Sequence, residues 1–294
     1  MSKNSIRDLR PADALNLIFL FSLILITTLF YQKIASPIYL ITLYLVLVLL
    51  QILLIKTSDR GNFFKLAYDL LFPTACILII FDSLESLVHF INPRDIDPLL
   101  IKLDYLIFNG HPTVMLENIM TPLLTDILQA AYSSYYFLPV SLGIALKVKR
   151  ADRAFDYSLF LIMLCFYLSY VGYILMPAIG PRFTINHLQS RDLEGLFIAG
   201  PLQEILNKLE GVKRDAFPSG HTAITLTVVY LAWRFERRLF AFFLPVALAL
   251  IASTVYCRYH YVVDVIAGIG LALLTIILGE KYYGYWSKNT DNRR

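Results

Sequence analysis

The chain has 294 residues, of which 57% are hydrophobic and only 16% charged. A soluble domain of that length has no core large enough to hide so much apolar surface, which excludes an ordinary globular protein. The net charge of +4 is small, so where the cations lie matters more than their sum, and nothing points to nucleic acid as a partner.

Several apolar runs approach the roughly 20 residues that cross a bilayer. Eight are expected, near 14–31, 37–55, 66–90, 123–146, 155–176, 220–234, 238–256 and 261–279, giving an all-α, polytopic membrane bundle. The first two are Leu/Ile-rich and carry no obvious chemistry. The first run is long, and no small-residue cleavage site follows it, so it reads as a retained helix rather than a signal peptide. The third holds Asp69, Asp82 and Glu85, so part of it must face protein or water. The fourth is crowded with Tyr132, Tyr135 and Tyr136. Two longer connections, 91–122 and 177–219, separate these runs. The three cysteines, Cys76, Cys165 and Cys257, lie in or beside apolar runs without paired spacing, so neither a disulfide framework nor a zinc site is expected.

Threading eight spans leaves seventeen of the 26 basic residues on the side of the N-terminus and nine on the other. By the positive-inside rule both termini are cytoplasmic. The same threading brings three segments to the opposite face: "MPAIGPRFT" with Arg182, "KRDAFPSGHT" with Lys213, Arg214, Ser219, Gly220 and His221, and "YCRYHYVVDVIAG" with Arg258, His260 and Asp264.

In the third segment, helical i,i+4 spacing would set Asp264 on the same face as His260. A carboxylate on one ring nitrogen fixes the tautomer and leaves the other as a base or nucleophile. In the second segment, Pro218 and Gly220 permit a turn, and Ser219 can cap the following helix. The unpaired N–H groups of a helix start suit a phosphate, and His221 could pass a proton there. Arg182, beside Gly180 and Pro181, offers a planar fork for phosphate oxygens, and Arg258 could neutralise a transferring phosphoryl group. Each feature alone is equally a capped helix, a structural ion pair or a solvated charge. Jointly, two imidazoles, one carboxylate and several cations suit phosphoryl transfer without a metal. No His-Glu-x-x-His or Asp-rich cluster appears, so no metal ligand set and no cofactor are expected.

These residues resemble the type 2 phosphatidic acid phosphatase superfamily of membrane lipid phosphatases and phosphotransferases. "PSGH" at 218–221 fits the second of its three segments, and His260 with Asp264 fit the end of the third. Ser253 and Thr254 stand where that pattern has Ser-Arg, "GPRF" replaces Arg-Pro, and Leu175 occupies the place of a lysine. With "RYHYVVD", "LDYLIFNGHP" and "AYSSYYFLP", these departures are similar to the branch containing inositol phosphorylceramide synthases. The likeness covers residues 66–280. It implies that His260 is the nucleophile and forms a phosphohistidine, that Asp264 orients it, and that His221 protonates the leaving group. Arg182, Arg258, Ser219 and Gly220 would hold phosphate, with Lys213 or Arg214 standing in for the absent lysine. The implied organisation is a two-helix extension over 1–60, a catalytic core over 61–285 with six helices, and a cytoplasmic tail over 286–294. The implied activity is hydrolysis of a phosphorylated lipid, with headgroup phosphotransfer as the alternative and a non-catalytic transporter or scaffold as a distant one. A bacterial plasma membrane with the site facing outward is the expected setting.

Overall fold

The computed structural model describes residues 9–209 and 214–291. Among the described residues there are helices and no strands. Six helices among the described residues are long and apolar enough to cross a membrane. They include α1 (Pro11–Leu29) and α2 (Pro37–Thr57), followed by α3 (Asn62–Ser83), which passes through a π-helical stretch at Ala67–Leu71. The short α4 (Glu85–Ile91) and α5 (Asp97–Phe108) then lead to α6 (Pro122–Ser133) and α7 (Phe137–Val148). Next come α8 (Asp152–Leu175), α9 (Ala199–Leu209) and α10 (Gly220–Phe235), and the chain ends in α11 (Arg237–Tyr256) and α12 (Val262–Asp291).

Every expected span has a helical counterpart, but two differ in kind. The run at 123–146 is broken by a 3-10 turn at Ser134–Tyr136 into α6 and α7, each of 12 residues. The run at 220–234 is the 16-residue α10, about 24 Å long and shorter than a hydrocarbon core of about 30 Å. α10 can be short because it is buried almost all round, from Gly220 through Ala232, against α8, α11 and α12. A helix wrapped by protein need not match the bilayer in length. The central α8 packs on α1, α10 and α12, and its mostly buried face carries Tyr167, Tyr170 and Tyr173.

The two N-terminal helices are less plain than their composition suggests. Asp13, Asn16 and Gln51 are buried between them. The Asn16 amide donates to Gln51 Oε1 at 2.9 Å, and Gln51 Nε2 donates to the Asp13 carbonyl at 3.1 Å. At the end remote from the histidines, Arg10 Nη1 lies 2.7 Å from Asp69 Oδ1, and Lys147 Nζ lies 2.7 Å from Asp69 Oδ2. Asp69 thus fastens α1 and α7 to α3. In low-polarity surroundings a buried carboxylate needs such partners.

Candidate active site

The segment around His221 is built for close approach. Ser219 caps α10, its Oγ accepting from the Thr222 N–H at 3.2 Å. Gly220 follows because a Cβ there would come 2.2 Å from the Tyr173 hydroxyl. The Ser219 N–H donates to the Asp264 carbonyl at 3.0 Å, which ties this turn directly to the start of α12.

His260 stands two residues before α12, and Asp264 lies in the first turn of that helix. Its Nδ1 is 2.8 Å from the Ala216 carbonyl oxygen and 3.5 Å from Asp264 Oδ2. A carbonyl can only accept, so Nδ1 carries the hydrogen and Nε2 keeps the lone pair. The expected carboxylate partner is therefore present but shares its task with a backbone oxygen. Asp264 Oδ2 also accepts the Tyr261 N–H at 2.8 Å, which holds the residue next to His260.

The two histidines, 39 residues apart in the chain, have ring centroids 5.6 Å apart. His221 is wedged between Tyr132 at 4.4 Å and Tyr135 at 4.2 Å. Its Nε2 is buried and has no hydrogen-bond partner. Buried polar atoms are nearly always satisfied, so an orphan nitrogen beside a second imidazole marks a place for a ligand atom. Asp215 lies near enough to His260 to feel its charge. Burial pushes the Asp215 carboxyl up to about 6, with His260 opposing the rise.

The cations divide. The segment with Arg182 turns at Gly180, whose φ of +95° and close approach to the Tyr259 carbonyl (2.7 Å from an added Cβ) admit only glycine comfortably. The Arg182 N–H donates to the Arg258 carbonyl at 3.1 Å, and its half-buried guanidinium lies 5.7 Å from the Tyr259 ring centre. Arg258, by contrast, is buried against a carboxylate, its Nη2 2.9 Å from Glu117 Oε1. Arg214 forms a two-point pair with Asp95, at 2.8 and 3.3 Å. Lys213 lies outside the described residues.

The connection at 91–122 and the first turns of α6 supply the residues that sequence reasoning passed over. Asp97 accepts the Ile179 and Gly180 N–H groups at 2.9 and 2.8 Å and the Tyr261 hydroxyl at 2.9 Å. Asp104 accepts the Val262 and Val263 N–H groups, both at 3.0 Å, and so caps α12. Glu117 receives the Ser190 N–H and hydroxyl besides Arg258. Burial works against the Glu117 charge, yet the Ser190 and Arg191 donors hold it below the usual carboxylate range. Asp126 accepts four successive N–H groups, from Leu196 to Ala199, at the start of α9. The sequence carries no local signal for these roles, because each carboxylate meets donors 70 to 158 residues away in the chain.

The fold is that of a helical integral membrane protein, with two imidazoles paired at one end of its bundle. Residues 104–278, well over half of the chain, match the PAP2 superfamily, and the protein belongs to it. That membership agrees with the long apolar helices in making it an integral membrane protein. It is 29% identical over 113 residues to a PA-phosphatase related-family protein of Dictyostelium discoideum, an alignment covering 37% of this chain and 20% of that relative. No solved structure matches.

Proposed function

We propose that the protein hydrolyses the phosphate ester of a membrane lipid through a phosphohistidine on His260. The observation that carries this reading is the pair of rings at 5.6 Å, one with Nδ1 held and the other with an orphan Nε2. His260 Nε2 attacks phosphorus as the ester P–O bond breaks, and His221 hands a proton to the departing alkoxide. Water then attacks the phosphohistidine, His221 takes its proton, and inorganic phosphate leaves. Arg182 and the N–H groups at the start of α10 hold the phosphoryl oxygens. Arg258 and Arg214, engaged with Glu117 and Asp95, act through the loops they brace. No metal or cofactor takes part.

The catalytic unit comprises residues 61–285, with 1–60 as an extension and 286–294 as a tail. Both termini lie in the cytoplasm and the site faces outward, as the placement of basic residues supports. Transfer to an alcohol is the second reading, favoured by "GPRF" and "RYHYVVD". Purified protein given a panel of phosphorylated lipids should release phosphate in the presence of chelator. Wild-type activity retained in His260→Ala and His221→Ala would overturn the proposal. Quenching with labelled substrate should leave acid-labile, base-stable phosphate on the wild type and none on His260→Gln. Phosphate appearing on an added polyol instead of in solution would favour transfer.

A further inference from the structure

A cavity of about 130 Å³ lies between α3 and α7, against α8, and its upper wall is Tyr135. The same Tyr135 ring packs on His221, 4.2 Å away, so the cavity begins where the site ends. Its walls are mostly apolar, with Leu78 and Val140 at middle depth and Leu70 below, and Thr74, Ser158 and Asp69 adding a few polar atoms. Leu70, Thr74, Leu78 and Val140 also line a wider groove beside it that reaches Lys147. The rim of that groove is open: Leu71 is 54% exposed and Ile144 47%, apolar side chains that face lipid in a membrane. At the far end stands the Lys147–Asp69 ion pair at 2.7 Å.

We infer that this groove receives one hydrocarbon chain of the lipid substrate and that the Lys147–Asp69 pair sets the limit of its length. The inference rests on the proposed lipid phosphate chemistry. An apolar groove that opens toward lipid and abuts a phosphate-handling imidazole fits a substrate whose headgroup and chain are covalently joined. From Tyr135 to Lys147 is twelve residues, mostly within α7, or about 18 Å. A saturated chain advances about 1.3 Å per bond of about 1.5 Å, so about 14 carbons fit before the charges are reached. Carbon beyond that point would have to desolvate an ion pair or turn out into the bilayer.

The test compares chain lengths. Val140 lies five residues below Tyr135, about 7.5 Å along the helix, so a bulky ring there blocks long chains but not six-carbon ones. Val140→Trp, and independently Thr74→Trp at an exposed position on the facing helix, should lower kcat/KM for ditetradecanoyl phosphatidic acid at least tenfold. Turnover of dihexanoyl phosphatidic acid should stay within twofold of wild type. Equal loss on both substrates, or loss on neither, overturns the groove. Wild type inactive on both lipids counts against the proposed chemistry instead. The groove is then judged by phosphatidic acid bearing a diazirine at the chain end, which should label residues 66–78 and 137–148 in wild-type protein. Labelling elsewhere, or labelling that excess unmodified phosphatidic acid cannot displace, as for a permanently bound structural lipid, overturns it.

Discussion

An imidazole clamped between two phenol rings can exchange a proton only through its edge, and the packing of those rings fixes how that edge is turned. His221 is in this position, with Tyr132 and Tyr135 on its faces. His260 is held differently, by the Ala216 carbonyl at 2.8 Å with Asp264 at 3.5 Å. Because the carbonyl alone preserves the tautomer, Asp264→Asn should lower kcat by about 10–100-fold, the loss typical of an orienting partner, and leave KM nearly unchanged. Steady-state kinetics checks this. Asp215 gives a pH prediction whose sign follows from its raised value of about 6. Ionising it costs more in the folded protein than in the unfolded chain, where the carboxyl titrates near 3.9. The penalty is absent below pH 4, grows between pH 4 and 6, and is complete above 6. Asp215→Asn should therefore raise Tm by about 2–4 °C at pH 7.5 and leave it unchanged at pH 4, as read by thermal unfolding in micelles.

Loops that carry catalytic groups are usually the mobile parts of a protein, yet here they are stapled. Asp97 holds the turn before Arg182, Asp104 caps α12 below His260, and Glu117 joins Arg258 to Ser190. Glu117→Gln leaves the Arg258 charge buried and poorly paired, and should cost about 3 kcal/mol of stability. Adding Arg258→Met should restore most of it, since an apolar replacement of a whole buried pair is near neutral; chemical denaturation of the single and double variants decides. Which elements form was legible in the sequence, because apolar length and a Ser-Gly turn before a hydrophobic run are local signals. The imidazole pair was legible too, since alternating passage through a bilayer places loops on one face or the other. The staples were not. A carboxylate's partner is a backbone N–H tens of residues away, and nothing at Asp97 or Glu117 separates them from solvated loop charges. The break in the fourth span was hidden for the same reason: Ser134–Tyr136 matches a helical pattern, and only the approach of His221 gives the turn a use. Of the three acidic residues in the third run, Asp82 and Glu85 are exposed on the bundle, whereas Asp69 is locked in ion pairs, so the three do not line one route.

Across the whole molecule, polar chemistry is concentrated at the two ends of an apolar bundle. One end holds the histidines; the other holds Arg10, Asp69, Lys147 and Asp156. Arg10→Ala should detach this second cluster from the N-terminal helix and lower Tm by several degrees, while KM for a six-carbon substrate stays the same. Loss of short-chain turnover in proportion to stability would instead mean that α1 shapes the site. The same arginine bears on how the protein is assembled. Arg10 pairs with Asp13 in its own helix, but its other carboxylate partners, Asp69 and Asp156, lie 59 and 146 positions later in the chain. The hairpin of α1 and α2 is therefore held at this point by Asp13 alone until the helices that carry Asp69 and Asp156 join it. The tie between these two helices and the rest of the bundle thus completes only with residues far along the chain.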